Sequence, residues 1–157
     1  MSAHSEMLDA TAAIVTALTP KTDQDPEDGF LRVETGTIDD AEDHANSHRM
    51  FSVRFSHGRS IDPFTGQLSR MVVRRGVDIA IIYRIQDRTP REIEPVIGED
   101  GDQILWALID PTNKPTLTGA QFGQFRPEAT ENIELSASGK SLIVTHTVPI
   151  WYRLEKY

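Results

Sequence analysis

The chain has no cysteine among its 157 residues. Disulfides, thiolate metal sites and cysteine nucleophiles are therefore excluded. Long apolar runs are missing too, and nothing approaches the roughly 20 residues that a membrane helix needs. The first residues, Met1-Ser2-Ala3-His4-Ser5-Glu6, lack the basic start and apolar core of a secretory signal. These absences set the expectation of a cytosolic protein with no membrane association. There is no G-x-S-x-G elbow and no H-E-x-x-H pair, and there is neither an internal repeat nor a low-complexity tract. A net positive charge is absent as well: the balance is −8, which argues against wrapping nucleic acid.

What is present fits one soluble globular domain spanning residues 1–157. The hydrophobic fraction is 38% and the charged fraction 25%, ordinary values for a chain long enough to bury a core. The charge is unevenly spread. Nine arginines but only three acids (Asp62, Asp78, Asp87) lie between Arg49 and Arg91, and every lysine lies outside that segment. Arginine suits desolvated, bidentate pairing with carboxylates better than lysine does. Two readings follow. Exposed strands need charge for solubility, or a basic face of one subunit meets an acidic face of the next. On the second reading Arg70, Arg74, Arg75 and Arg84 are interface candidates.

Periodicity supplies the elements. Met7, Ala10, Ile14, Val15 and Leu18 share a helical face over residues 6–18, with Ser5 as N-cap and Thr19-Pro20 as the stop. Residues 30–34 read as a short strand, and Phe51, Val53 and Phe55 alternate in a second. Residues 56–67 read as turns. Residues 68–85 form one long strand, in which Val77, Ile79, Ile81, Tyr83 and Ile85 face one side and Gly76 marks a bulge. Thr89-Pro90-Arg91-Glu92 is a capping box with proline at the first helical position. The helix it opens is interrupted at Pro95 and ends at Asp110-Pro111. Residues 112–130 read as a long structureless segment, and residues 132–136 and 142–151 as a hairpin across Ser138-Gly139. The expected fold is α+β: a mostly antiparallel sheet with two helices packed on one face, in the order α-β-β-β-α-β-β.

Few residues carry chemistry. His44 and His48 stand four apart and would present two imidazoles on a helix, but position 45 is alanine and no third ligand is identifiable. His146 lies in the last strand between threonines. Ser138-Gly139-Lys140-Ser141 has the tail of a phosphate loop without its glycine-rich head, and reads as a turn. Phe122 and Phe125 lie in the polar segment before the hairpin; they either fold back on the core or anchor a partner. The expectation is a protein without catalytic residues, cofactor or metal. The alternative is a small α+β ligand- or metal-binding domain, hydrolases included, using His44, His48 and His146.

The order and texture of these segments resemble the tail terminator proteins of long-tailed bacteriophages, the minor tail protein U-like class. The resemblance rests on the helix from Met7 to Leu18, the strand from Val77 to Ile85, the helix ending Ile104-Leu105-Trp106-Ala107-Leu108, and the strand from Ser141 to Tyr152. It covers about two thirds of the chain; residues 36–66 are longer than in the smallest members. It implies a virion protein of the tail and neck, assembled in the host cytoplasm. Six copies would form a ring that caps the tail tube, stops its polymerisation and meets the head-completion or neck proteins. DNA would pass through the lumen without specific binding.

Overall fold

A computed structural model describes residues 3–22, 29–33, 38, 47–56, 58, 60–63, 70–85, 88–113 and 120–155. The elements are α1 (Ala3–Thr16), β1 (Leu31–Arg32), β2 (Met50–Phe55), β3 (Ser60–Pro63), β4 (Arg70–Arg84), α2 (Pro90–Ile109), a 3₁₀ turn (Pro111–Asn113), β5 (Ala120–Phe125), β6 (Thr130–Leu135) and β7 (Ser141–Glu155). The fold is α+β, and the expected α-β-β-β-α-β-β order is present with two further short strands, β3 and β5.

The sheet is organised around β4 and β7. They pair antiparallel without interruption from Arg70↔Glu155 to Arg84↔Ser141. Fifteen residues of strand span roughly 50 Å, so this ribbon is longer than any one neighbour can flank. β2 and β3 therefore share the outer side of β4, and β6 and β5 share the outer side of β7. β1 adds to β2 in parallel, the only parallel pairing among the described residues.

Both helices cover one face. Val73, Val77, Ile79, Ile81 and Tyr83 of β4 and Leu142, Val144, Val148, Ile150 and Tyr152 of β7 point toward it. They meet Met7 and Val15 from α1, and Ile93, Val96, Ile97, Ile104 and Leu108 from α2. At about 25 cal/mol per Å² of apolar surface, each large side chain fully buried there contributes about 1.5–3 kcal/mol. A smaller cluster on the opposite face joins Met50 and Ile82 with Val33 and Ile38.

Several boundaries depart from the sequence reading. α1 begins at Ala3, so Ser5 lies inside the helix and does not cap it. The β4–β7 register is continuous through Gly76, which is no bulge. Gly76 is needed because a Cβ there would collide with the Ser56 hydroxyl and crowd Thr147. The irregularity sits in β5, between Gln121 and Gln124, where it breaks the period-2 pattern and disguises a strand as a loop. α2 runs through Pro95. That proline lies early in the helix and is exposed, so it removes only the bond its N–H would make to Arg91, while Ile93, Val96 and Ile97 hold the flanking turns in the core. The capping box forms: the Glu92 carboxylate accepts the Thr89 N–H at 2.7 Å.

A charged cluster is built into this core. Asp100 of α2 is fully buried and receives Arg49 Nε on Oδ2 at 2.7 Å and Arg49 Nη2 on Oδ1 at 3.1 Å. The Tyr83 hydroxyl donates to Oδ2 at 2.9 Å, and Arg49 Nη2 also reaches the Thr22 carbonyl at 2.7 Å. Burial, reinforced by the Asp100 charge, pushes the Tyr83 phenol well above its ordinary range, so it stays a neutral donor. Removing one member leaves the other charge buried and uncompensated. Asp100→Ala is therefore expected to destabilise the fold by about 3–5 kcal/mol, read as a lower urea midpoint; a change under 1 kcal/mol would show that the pair is not structural.

Candidate functional site

Of the candidate arginines, Arg74, Arg75 and Arg84 do not form one patch. Arg74 is exposed on the face away from the helices, with its guanidinium 4.3 Å from the centroid of the Trp151 ring. Arg126 lies over the same ring at 4.2 Å. Arg75 points to the helix side, half-buried, 3.7 Å over the Phe55 ring. Arg84 is half-buried, ten residues along the strand from Arg74 and so roughly 33 Å away; its backbone N–H donates to His48 Nδ1 at 3.2 Å. Arg70 opens β4, but its side chain lies outside the described residues.

Phe122 lies in β5 with its side chain outside the described residues, whereas Phe125 is 1% exposed and belongs to the core. Of the two alternatives for Phe125, the core holds it. Its neighbour Arg126 donates its N–H to the Pro149 carbonyl, which closes the end of β5 on β7.

The histidines are not gathered. His44 lies outside the described residues. His48 sits in the turn before β2, edge-on to Tyr83 at 5.8 Å. His146 is on β7, on the helix side, opposite Glu131 of β6. His146 lines a cleft of about 170 Å³ between α2 and the start of β6, with Gly101, Asp102, Leu105, Thr130 and Glu131. Its Nδ1 faces the Glu131 carboxylate at 3.7 Å, and Nε2 is buried without a hydrogen-bond partner among the described residues. Gly101 makes room for the ring: a Cβ there would stand 3.0 Å from His146 Cε1. No serine or tyrosine lines this cleft among the described residues; its hydroxyl is that of Thr130 and its carboxylates are those of Asp102 and Glu131.

The sheet's edges are the other conspicuous feature. β6 is exposed along all six residues, and among the described residues no strand pairs with its outer side. Ile133 is 43% exposed and Leu135 59%, with Glu131 and Glu134 beside them. At the opposite edge, Leu31 of β1 is 56% exposed, and the Arg54 side chain of β2 is 76% exposed, with Asp78 only at 3.8 Å. Trp106 projects from α2 at 72%. These sites were missed in the sequence because Glu131 and Ile133 look like any half-buried hairpin strand; only the topology puts them on an edge.

The sequence matches no protein-family model and none of the curated proteins. No helix among the described residues is long and apolar enough to cross a membrane.

Burial holds the His146 imidazole below its ordinary range, outweighing the opposing pull of Glu131 and Asp100. The folded state therefore favours neutral His146. Its contribution is complete above the unfolded value of about 6.5 and is lost as pH falls through that value toward the lower folded one. Between about pH 7.5 and 5.5, the wild type is expected to lose more stability than His146→Gln. Parallel pH profiles of the two proteins in urea melts would show that the ring is not the titrating group.

Proposed function

We propose that this chain is a structural virion protein of the tail terminator type. As a ring of copies it caps the tail tube, stops tube polymerisation and forms the joint to the head-completion or neck proteins. The observation that carries the reading is architectural. The four segments on which the resemblance rests form α1, β4, α2 and β7, the framework of a single sheet whose two edges carry no further strand among the described residues. A subunit with exposed apolar residues on both edges is suited to repetition. The net charge of −8 suits a lumen through which DNA slides by like-charge repulsion, without specific binding. Function then needs no catalytic residue, cofactor or membrane contact. Assembly takes place in the host cytoplasm, and the product is part of the virion.

A second reading has one observation in its favour. The His146–Glu131 cleft is a partly enclosed site beside a buried imidazole, which suits a small-ligand or hydrolytic domain. Metal analysis and hydrolase assays on wild type and His146→Ala discriminate it, since turnover lost in the variant would favour this reading.

The terminator reading is tested on polymerising tail tubes. Added to growing tubes of the cognate tube protein, the chain is expected to shorten them and to leave a ring-shaped density at one end in negative stain. Tubes of unchanged length with bare ends would remove the proposal.

A further inference from the structure

We infer that the two edges of the sheet are complementary and join copies head to tail, β6 of one copy lying along the β1–β2 edge of the next. The inference deepens the ring reading and rests on it for the closed geometry.

The first observation is that both edges are open. The outer side of β6 carries a row of backbone N–H and C=O groups with no strand on it among the described residues. Beyond Phe51, the outer side of β2 has none either among the described residues, where β1 pairs at Met50 and Phe51. Open edges of this kind are templates for another chain. The second observation is that apolar surface is exposed at both edges: Ile133 and Leu135 on one, Leu31 on the other.

The third observation is charge, and it selects the partner. Among the charged residues of β6 are Glu131 and Glu134 and no base. The other edge carries Arg32 and Arg54. Arg32 is held by Asp9 at 2.8 Å; among the described residues of this edge that leaves Arg54, mostly exposed and 3.8 Å from the Asp78 carboxylate, as the cation with reach to engage a neighbour. Two β6 edges would repel each other, as would two Arg54 edges. A β6 edge against an Arg54 edge attracts. Such a contact uses different patches on the two copies, and a heterologous contact of that kind generates a ring when its rotation closes.

A charge swap tests this with the full chain. One variant carries Glu131→Arg and Glu134→Arg, so both of its edges are basic; the other carries Arg54→Glu, so its β1–β2 edge turns acidic like β6. Because Glu131 also faces His146, Glu134→Arg alone is measured beside the double variant. Urea melts first establish that each is folded, as expected for exposed positions. In sedimentation and native mass spectrometry, the wild type is expected to form rings. Each variant alone should associate at least about tenfold more weakly. An equimolar mixture of the double variant with Arg54→Glu should recover assemblies, now of alternating composition and hence of even number. Wild-type rings that survive both reversals, or a mixture that stays monomeric, would overturn the edge assignment while leaving a ring reading intact. A wild-type chain that forms rings neither alone nor on tubes would overturn both.

Discussion

The buried Arg49–Asp100 pair is the constraint on which the rest of the structure depends. It ties four parts of the chain at one point. Arg49 enters from the turn before β2, Asp100 from the middle of α2, Tyr83 from the end of β4, and the Thr22 carbonyl from the connector after α1. The Arg49 backbone adopts a left-handed conformation, φ 61°, uncommon for a residue with a Cβ. That turn is fixed on both sides, since the Arg49 N–H donates to the Ile82 carbonyl and its own carbonyl accepts from Leu31. The pair is not a simple gain in stability. Taking both charges out of water costs several kcal/mol each, and a good geometry offsets much of that. Its effect is on register, because apolar contacts alone would let α2 slide along the sheet by a turn, whereas the Asp100 oxygens find their three donors in one position only.

The position of α2 decides what remains uncovered. Two helices suffice for one face of the β4–β7 ribbon and for little more. Among the described residues the opposite face is closed only locally, by Met50, Ile82, Val33 and Ile38, and otherwise carries Asp78, Thr147, Arg74 and Trp151. The edges have neither helix nor strand on them among the described residues. Open edges and a half-covered ribbon thus follow from the same limited supply of helix. The His146 cleft has the same origin: it lies where α2 and β6 fail to close on each other, and Gly101 widens the gap.

This history explains what was legible in the sequence. The alternation in β4 and β7, the capping box at Thr89 and the hairpin turn at Ser138-Gly139 are local signals, and the fold class follows from them. β5 was hidden because its bulge and Gly123 break the alternation. Pro95 was misleading because propensity speaks for the isolated helix, while Ile93 and Val96 speak for the packed one. Asp100 lay beyond reach. It sits between Glu99 and Gly101 on a helix with other acids, and nothing local separates a buried carboxylate from a solvated one. The spacing of the candidate arginines was hidden for a related reason. Strand parity separates Arg74 from Arg75, and strand length separates both from Arg84, so adjacency in sequence did not become a patch in space.

Charge at the edges has two roles that are easily confused. A carboxylate on an open strand is a usual device against aggregation, and Glu131 and Glu134 discourage two β6 strands from pairing whatever else they do. The same charges discriminate among partners, because what repels an acidic edge attracts one bearing Arg54. Apolar exposure of Leu31, Ile133 and Leu135 gives association without direction, whereas the unlike signs supply direction. On the proposed edge pairing, two-fold contacts between like edges are disfavoured and a head-to-tail contact is favoured, the kind from which a ring can be closed. Under that proposal, protection against the wrong assembly and selection of the right one rest on the same two glutamates.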